Sequence, residues 1–217
     1  LTARVIADRQ FDAVYVTGAG IANTHLGTPD IGLVTLTELA ATVSTIAEIC
    51  QLPLVVDIDT GFGNAINTRR TVRLIERAGG FAMQIEDQVF PKKCGHFSGK
   101  AVIPVEEALS KIKAAVDARE DENTMIIART DARAIDGIEA ALDRAKTFIE
   151  AGADMTFVEA PRSEAEMEVI LKRLSVTQVT NMVVIGKTPL TTQGFWSSWD
   201  FLSFSMPINR FRWPCEP

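Results

Sequence analysis

Short apolar runs alternate along the chain with longer segments in which apolar residues recur every three or four positions. The short runs have the length of strands buried on both faces, and we place them at 13–17, 52–57, 81–85, 124–128, 155–158 and 179–184. The longer segments predict amphipathic helices; Val105, Leu109, Ile112 and Val116, for example, share one apolar face. This alternation predicts an α/β fold built on a parallel sheet.

Local signals mark where several helices begin and end. Thr35-Leu-Thr-Glu38 has the pattern of a capping box, in which the Thr and Glu side chains bind each other's backbone N–H groups. It predicts a helix that presents Leu39, Val43, Ile46 and Cys50 to the core. Two glycines stand where later helices should stop, since glycine readily adopts the left-handed conformation that ends a helix: Gly79 and Gly152.

The number of strand and helix units favours a (β/α)8 TIM-type barrel over an open doubly wound sheet, because no glycine-rich dinucleotide fingerprint accompanies them. We assign residues 1–189 to a barrel domain that carries the active site. Residues 190–217 are interpreted as a divergent, aromatic-rich tail, since they contain all three Trp residues and show no helical periodicity. No strand is recognised before the first helix and no eighth strand at the end, so we expect a barrel that is incomplete at both ends.

Composition narrows the class of protein. Apolar residues make up 47% of the 217 residues, which is enough for one buried core. No run approaches the ~18 apolar residues that span a bilayer. A net charge of −6 without a basic stripe argues against nucleic acid as a partner. Three Cys without CxxC spacing indicate a reducing compartment, so we expect a cytoplasmic enzyme or one of an organelle matrix.

Polar side chains stand at or just after the C-terminal end of nearly every predicted strand. They are Tyr15, Thr17, Asp57, Asp59, Glu86, Asp87, Arg129, Asp131, Glu159 and Asn181. Any one of them could be a helix cap or a turn residue. In a (β/α)8 barrel, however, the C-terminal strand ends form the face where active sites lie. The pattern therefore predicts an active site assembled from six strands.

Three carboxylates in this set predict a metal site. Asp57 and Asp59 are two residues apart, so on a strand they would project to the same side. Together with Glu86 they offer only hard oxygen ligands, which suit Mg²⁺, with Mn²⁺ as an alternative. The competing interpretation is ordinary capping of the loop Thr60-Gly-Phe-Gly63.

The segment Ile85–His96 is the densest in chemistry-bearing residues. It places Lys92 beside Cys94 and His96, and a neighbouring cation lowers the pKa of a thiol below the ~8.5 of free cysteine. A poised thiolate or proton donor is the functional interpretation. A solvated basic turn with an incidental cysteine is the alternative.

Two features predict binding of a small acid. Arg129 ends a strand and is a candidate carboxylate clamp, since a guanidinium holds a carboxylate through two parallel hydrogen bonds. A structural ion pair with Asp131 or a neighbouring acid explains it equally well. Gly18 and Ala19 offer backbone N–H groups with little side-chain bulk, which suits an anionic group, although a tight turn would look the same.

Taken together, these motifs resemble the isocitrate lyase and phosphoenolpyruvate mutase superfamily. The resemblance extends over residues 1 to about 189 and is carried by Tyr15–Ala19, Leu26–Asp30, Asp57–Gly63, Glu86–Gln88, Lys92–His96, Ala128–Asp131, Asn181 and Gly186–Pro189. The Lys-Lys-Cys-Gly-His loop is more similar to the methylisocitrate and 2,3-dimethylmalate lyases than to the phosphonomutases. The resemblance implies a (β/α)8 barrel and a tendency to form homo-oligomers.

The resemblance also implies roles for individual residues. Asp57, Asp59 and Glu86 would hold Mg²⁺, directly or through water, and Cys94 would donate a proton with Lys92 and His96 as catalytic neighbours. The substrate site would be lined by Tyr15, Thr17, Gly18, Ala19, Asp57, Gly95, Arg129, Glu159 and Asn181. The chain departs from the family pattern at Ala19, where glycine is usual, and at Val184-Ile185, where a Glu-Gly pair is usual.

The implied activity is a Mg²⁺-dependent carbon–carbon lyase. It would cleave a 2-hydroxy di- or tricarboxylic acid of the methylisocitrate or 2-alkylmalate type into a 2-oxo acid and a saturated carboxylic acid. An oxaloacetate hydrolase or a carboxyphosphonoenolpyruvate mutase of the same superfamily is one alternative. The other is a truncated, inactive chain that acts only as an interaction module, and the unusual tail is what favours it.

Overall fold

A computed structural model describes residues 1–94, 99–182, 188–189 and 201–205. Its centre is a parallel sheet of seven strands that pair in chain order. The strands are β1 Val14–Val16, β2 Leu54–Asp57, β3 Ala82–Glu86, β4 Met125–Thr130, β5 Met155–Val158, β6 Gln178–Met182 and β7 Phe201–Ser205. The six strands predicted from apolar runs are confirmed, with shifts of one or two residues at their ends. β7 was missed; it lies inside the segment interpreted as a tail.

Helices connect the strands. They are α1 Thr2–Asp8, α2 Gly18–Ile21, α3 Leu36–Ala47, α4 Ala65–Arg77, α5 Val105–Val116, α6 Arg133–Asp136, α7 Ile138–Glu150 and α8 Glu164–Arg173. A π-helical turn, Ala22–Leu26, directly follows α2. Of the predicted apolar face of α5, Ile112 is buried, and Val105, Leu109 and Val116 are partly buried against the core. Ala108 and Ala115 of α5 and Leu142 and Phe148 of α7 are also buried.

The predicted start of α3 and the predicted stops after α4 and α7 are confirmed, but α3 ends at Ala47, so the buried Cys50 lies beyond the helix that was predicted to carry it. The Thr35 hydroxyl accepts from the backbone N–H of Glu38 at 3.3 Å, and the Glu38 carboxylate accepts from the backbone N–H of Thr35 at 2.8 Å. A cap of this kind contributes about 1 kcal/mol to helix stability. Gly79 and Gly152 follow the ends of α4 and α7 with φ of +104° and +99°, the left-handed conformation that glycine adopts without a Cβ clash.

The two faces of the sheet carry different apolar layers. Val14, Val56, Met83 and Ile126 pack with residues of α3, α4 and α5 in the layer between sheet and helices. The opposite face has its own buried cluster of Val55, Ala82, Ile127, Phe157 and Val179. Side chains alternate between the two faces of a strand, so the residue two positions after each of these lies on the same face, nearer the C-terminal end of its strand. The polar side chains of the predicted site belong to that continuation.

Parallel strands in chain order, with helices on one face and a filled apolar layer on the other, are the architecture of a (β/α) barrel, as predicted. Among the described strands, β1 pairs only with β2 and β7 only with β6, so this part of the barrel is an open run. The division into a domain of residues 1–189 and a tail of 190–217 stays a prediction. Within the described ranges, no helix is long and apolar enough to cross a membrane.

Candidate active site

The C-terminal ends of β2 to β5 bring four of the predicted site residues together. Register places Glu86 of β3 directly opposite Arg129 of β4, and Asp57 of β2 opposite the inner-face residue Gln84. Glu159 follows the end of β5, two positions beyond the inward-facing Phe157. All of these side chains are buried. The strands therefore bring charged side chains together in a buried region, where an unpaired charge is energetically costly. The contacts of these side chains with one another determine the arrangement of the site.

A hydrogen-bonded chain crosses the first three strands. The Tyr15 hydroxyl donates to the Gln84 side-chain oxygen at 2.8 Å, and the Gln84 amide donates to Asp57 at 3.4 Å. Gln84 is completely buried. Burial, followed by the negative charge of Asp57, raises the pKa of Tyr15 well above its usual value, so the phenol stays a proton donor. Sequence reasoning missed Gln84, although a polar side chain inside the apolar run 81–85 was a usable signal.

Asp57 and Asp59 meet by a route other than the one predicted. β2 ends at Asp57, and Asp59 lies beyond the strand with φ of +48°, so the expectation that strand alternation aligns the two acids was wrong. The left-handed conformation turns the chain back instead, and the backbone N–H of Asp59 donates to the Asp57 carboxylate at 3.1 Å. Burial, and then the charge of Asp57, raises the pKa of Asp59 to about 7.

Lys92 is bound by two carboxylates. Its ammonium lies 2.6 Å from Asp30 and 2.7 Å from Asp59, and only 3% of the side chain is exposed. Burial acts to lower the pKa of Lys92, but the charges of Asp59 and other carboxylates outweigh it and raise the pKa. Gly18 makes room for this contact, because a Cβ at that position would lie 3.0 Å from the Asp59 carboxylate oxygen. The proposed influence of Lys92 on Cys94 stays a prediction; its contact with Asp30 was not foreseen.

Arg129 is held by acids at or just beyond the ends of three strands. Its guanidinium donates to both oxygens of Asp131, at 3.0 and 3.2 Å, and lies 3.4 Å from Glu86 and 3.8 Å from Glu159. It also stacks over the Phe157 ring, 5.2 Å from the ring centre. Burial acts to lower the pKa of Arg129, but Asp131, Glu159 and Glu86 raise it, so the group is permanently charged. The structural ion pair with Asp131 is thus present, and the substrate clamp remains a proposal.

Asp87, the residue after β3, is connected to this network through Asp131. It accepts hydrogen bonds from the Thr130 hydroxyl at 2.7 Å, the backbone N–H of Asp131 at 2.9 Å and the guanidinium of Arg144 at 2.9 Å. Arg144 projects from α7 and also donates to the backbone oxygen of Ile103 at 2.8 Å. These three hydrogen bonds to the buried Asp87 carboxylate connect the end of β3 to the end of β4 and to α7, and so stabilise the relative positions of the strand ends. The contribution of Arg144 was not visible in the sequence pattern.

Comparison with known proteins agrees with this geometry. The family model described as phosphoenolpyruvate phosphomutase matches residues 1–195. The chain belongs to the phosphoenolpyruvate mutase family. Among curated relatives, 2,3-dimethylmalate lyase of Eubacterium barkeri is 50% identical over 190 residues, covering 88% of this chain and 66% of the relative. The 2-methylisocitrate lyase of Aeropyrum pernix is 47% identical over 209 residues, covering 96% of this chain and 67% of that protein.

Solved structures place the chain in the same superfamily. A crystal structure of 2,3-dimethylmalate lyase superposes with a TM-score of 0.90 at 34% identity, covering 97% of this chain and 71% of that one. Oxaloacetate acetylhydrolase with 3,3-difluorooxalacetate gives 0.88 at 32% identity, covering 93% and 70%. The resemblance inferred from the motifs is confirmed. This member of the phosphoenolpyruvate mutase family spans about two thirds of the length of the first curated relatives.

The donor set of this family member fits a hydrated divalent cation. One oxygen of Glu86 and one of Glu159 are buried without a hydrogen-bond partner among the described residues. Burial raises the pKa of Glu86 well above its usual value, although Arg129 opposes the shift, so an additional cation would relieve a strained charge. In the described part of the chain, no three Asp, Glu, His or Cys residues lie close enough to enclose a metal by themselves. Mg²⁺ usually keeps several water ligands, so carboxylates that do not enclose it by themselves can still hold it through water.

The remaining predicted residues are distributed around this centre. Thr17 precedes α2, whose first residues are Gly18 and Ala19. Asn181 in β6 is partly buried, and its side-chain oxygen has no hydrogen-bond partner within the described ranges. Cys94 is partly exposed and forms no disulfide among the described residues. Gly95 and His96 lie outside the described residues, as does the departure at 184–185.

Proposed function

We propose that this chain is a Mg²⁺-dependent carbon–carbon lyase. Its substrate would be a 2-hydroxy di- or tricarboxylic acid of the methylisocitrate or 2-alkylmalate type, and its products a 2-oxo acid and a saturated carboxylic acid. The main support is the convergence of buried Asp57, Glu86 and Arg129 at the strand ends, in a chain 50% and 47% identical to relatives named as lyases. Hard oxygens and a guanidinium together suit a substrate that carries both a hydroxyl and carboxylates.

The metal proposal assigns three ligands. Asp57, Asp59 and Glu86 would hold Mg²⁺ directly or through water, with Mn²⁺ as an alternative. A bound divalent cation supplies Lewis acidity, which polarises substrate oxygens and stabilises negative charge that develops during bond cleavage. Asp59 would serve in two contacts at once, because its carboxylate also binds Lys92 at 2.7 Å.

The substrate proposal assigns the carboxylates to fixed donors. Arg129 is held in one orientation by Asp131, so its remaining surface presents a preorganised positive charge to a substrate carboxylate. The backbone N–H groups of Gly18 and Ala19 would bind a second anionic group. The full set proposed to line the substrate is Tyr15, Thr17, Gly18, Ala19, Asp57, Gly95, Arg129, Glu159 and Asn181.

The bond-breaking step would proceed as a retro-aldol cleavage. A carboxylate of the site accepts the proton of the substrate hydroxyl, and the C–O bond gains double-bond character to give the 2-oxo acid. The electron pair of the broken carbon–carbon bond moves to the neighbouring carbon, which is stabilised as an enolate by its own carboxylate. Cys94 then donates its proton to that carbon. Lys92 and His96 are proposed as the catalytic neighbours of the thiol.

A substrate panel tests the proposal. The chain is incubated with Mg²⁺ and, separately, methylisocitrate, isocitrate, 2,3-dimethylmalate or oxaloacetate, and the released 2-oxo acid is detected by reduction with a coupled dehydrogenase. Formation of a 2-oxo acid from one of the first three supports the lyase. Oxalate and acetate from oxaloacetate would favour a hydrolase instead, the alternative suggested by the likeness to oxaloacetate acetylhydrolase. No turnover and no Mg²⁺ binding by calorimetry would favour the inactive chain.

Homo-oligomer formation and a location in the cytoplasm or an organelle matrix also remain proposals. Among the described strands, β1 and β7 each have one edge without a partner strand, and this favours self-association, because unpaired backbone groups at a strand edge readily pair with another chain. Light scattering coupled to size-exclusion chromatography measures the mass directly, and a monomer at micromolar concentration would contradict this proposal.

A further inference from the structure

The segment that carries Cys94 leaves the sheet and returns to it through a paired stem. The backbone N–H of Val89 donates to the oxygen of Ala101 at 2.8 Å, and that of Ile103 donates to the oxygen of Asp87 at 2.9 Å. These contacts form a short antiparallel pairing between the residues after β3 and the residues before α5. The stem therefore starts at the active-site end of β3.

The outgoing side of the stem is fixed up to the residue before Cys94. Gln88 is almost completely buried, and its side chain makes two hydrogen bonds to the backbone of Lys93, at 2.8 and 3.0 Å. The Lys93 ammonium in turn donates to the backbone oxygen of Gly99 at 2.9 Å, which joins the two sides of the segment. Cys94 therefore directly follows Lys93, whose backbone N–H and backbone oxygen are both hydrogen-bonded to the Gln88 side chain.

The returning side is anchored by a buried ion pair. Lys100 binds Asp131 at 2.5 Å, and the two side chains are exposed by only 2% and 0%. The same Asp131 carboxylate accepts both hydrogen bonds from Arg129. A buried charge that loses its partner is strongly unfavourable, so this contact resists separation of the stem from the sheet. Asp131 therefore connects two parts of the proposed site: the segment that carries the proposed proton donor Cys94, through Lys100, and the Arg129 guanidinium, the proposed substrate clamp.

We propose that Lys100 is a positioning residue: through its ion pair with Asp131 it holds the Cys94-bearing segment at a set place relative to Arg129. Lys100 does not touch the reacting atoms in this role. The proposal rests on the proposed lyase function for the duties of Cys94 and Arg129, but the mechanical link between Lys100 and Cys94 is independent of any activity.

The test compares the reactivity of the Cys94 thiol in Lys100→Met and in the parent chain. Modification by 5,5′-dithiobis(2-nitrobenzoate) is followed under native conditions, and the signal of Cys94→Ser is subtracted to remove the other two thiols. Lys100→Met keeps the apolar body and most of the length of the side chain and removes the ammonium, with its charge and its hydrogen-bond donors. We expect the Cys94 rate to change by at least about tenfold, since loss of the anchor alters how often the thiol is presented to reagent. Lys146→Met is the matched control, because Lys146 is 41% exposed and its contact with Asp143 is long, at 3.8 Å; its rate should equal that of the parent.

Lys100→Gln and Lys100→Arg complete the test if Lys100→Met does not fold. Glutamine keeps a hydrogen-bond donor without charge and should reproduce the changed thiol rate, whereas arginine keeps the charge and should restore most of the parent rate. Where the parent has lyase activity, we expect Lys100→Gln to lower kcat more than it raises KM, because the proton donor rather than substrate binding is displaced. An unchanged Cys94 rate in folded Lys100→Met or Lys100→Gln overturns the positioning role, whatever the activity. A changed rate in a chain that turns over no substrate supports the positioning role and counts against the lyase proposal alone.

Discussion

Arg129 and Asp131 form a two-point contact at the end of β4, with the guanidinium donating to both carboxylate oxygens at 3.0 and 3.2 Å. The two residues are separated by one position, so the pairing is local in sequence and is present before any substrate binds. It orients the guanidinium and keeps it charged in a buried setting. A preoriented cation is the property that the proposed substrate clamp requires.

Arg129→Lys tests that clamp. Lysine keeps the positive charge but cannot reproduce the planar two-point geometry. Loss of one charged hydrogen bond costs about 1.5–3 kcal/mol, so we expect kcat/KM for the active substrate to fall by roughly 10- to 100-fold, mainly through KM. The measurement is steady-state kinetics together with a thermal melt.

Arg133→Lys serves as the control for this prediction. Arg133 makes a similar two-point contact with Glu166, at 2.9 and 2.5 Å, and is not among the residues proposed to bind the substrate. The Arg133→Lys variant should melt at a lower temperature than the parent, without a change in KM. Equal kinetics for Arg129→Lys and the parent would return Arg129 to a purely structural ion pair.

Asp59→Ala should weaken Mg²⁺ binding by at least about tenfold and remove metal-dependent activity. The variant deletes a hard oxygen ligand from a site that already depends on water. Isothermal titration calorimetry of Mg²⁺ measures the effect. Asp30→Ala is matched to it, because Asp30 is the other partner of Lys92, at 2.6 Å, but is not a proposed ligand. If both variants bind Mg²⁺ like the parent, Asp59 belongs to the Lys92 ion pair and not to a metal site.

Cys94→Ser should lower kcat by about 10²- to 10⁴-fold, the usual range for loss of a general acid, because a hydroxyl is a far weaker acid than a thiol. Circular dichroism and Mg²⁺ affinity should not change, since the thiol is partly exposed and is not a proposed ligand. Cys50→Ala is the control: this thiol is buried in the helix-side core, and its removal should leave kcat intact. Full activity of Cys94→Ser would contradict the proton-donor role.

Gln84→Met should both destabilise the fold and impair catalysis. The substitution removes the link between Tyr15 and Asp57, and the loss of buried hydrogen-bond partners costs about 1–3 kcal/mol. Gln178→Met provides a comparison, since Gln178 is equally buried and bonds to Thr156 at 2.8 Å. Both variants should melt at a lower temperature, but only Gln84→Met should lower kcat/KM. If kcat/KM of Gln84→Met equals that of the parent, the hydrogen bonds from Tyr15 through Gln84 to Asp57 stabilise the fold but have no role in catalysis.

The periodic pattern was sufficient for the elements that depend on local rules. Alternating strands and helices follow from hydrophobic spacing, and the helix limits at Thr35, Gly79 and Gly152 follow from capping chemistry that acts within a few residues. β7 escaped notice because a strand of five residues in an aromatic-rich, aperiodic segment differs little from its surroundings. Its pairing with β6 is a long-range contact, which local composition does not encode.

The sequence by itself determined the α/β barrel class and the acids and cations at the strand ends, because residue type and spacing along the chain express these directly, and its motifs carried the resemblance to the family. Only the tertiary structure decided which of them touch. The left-handed turn at Asp59, the position of Lys92 between Asp30 and Asp59, and the sharing of Asp131 by Arg129 and Lys100 depend on chain segments that meet in space. Burial makes these partnerships obligatory, since a charge removed from water must find an opposite charge or a hydrogen bond, and spacing along the chain does not reveal which partner it meets.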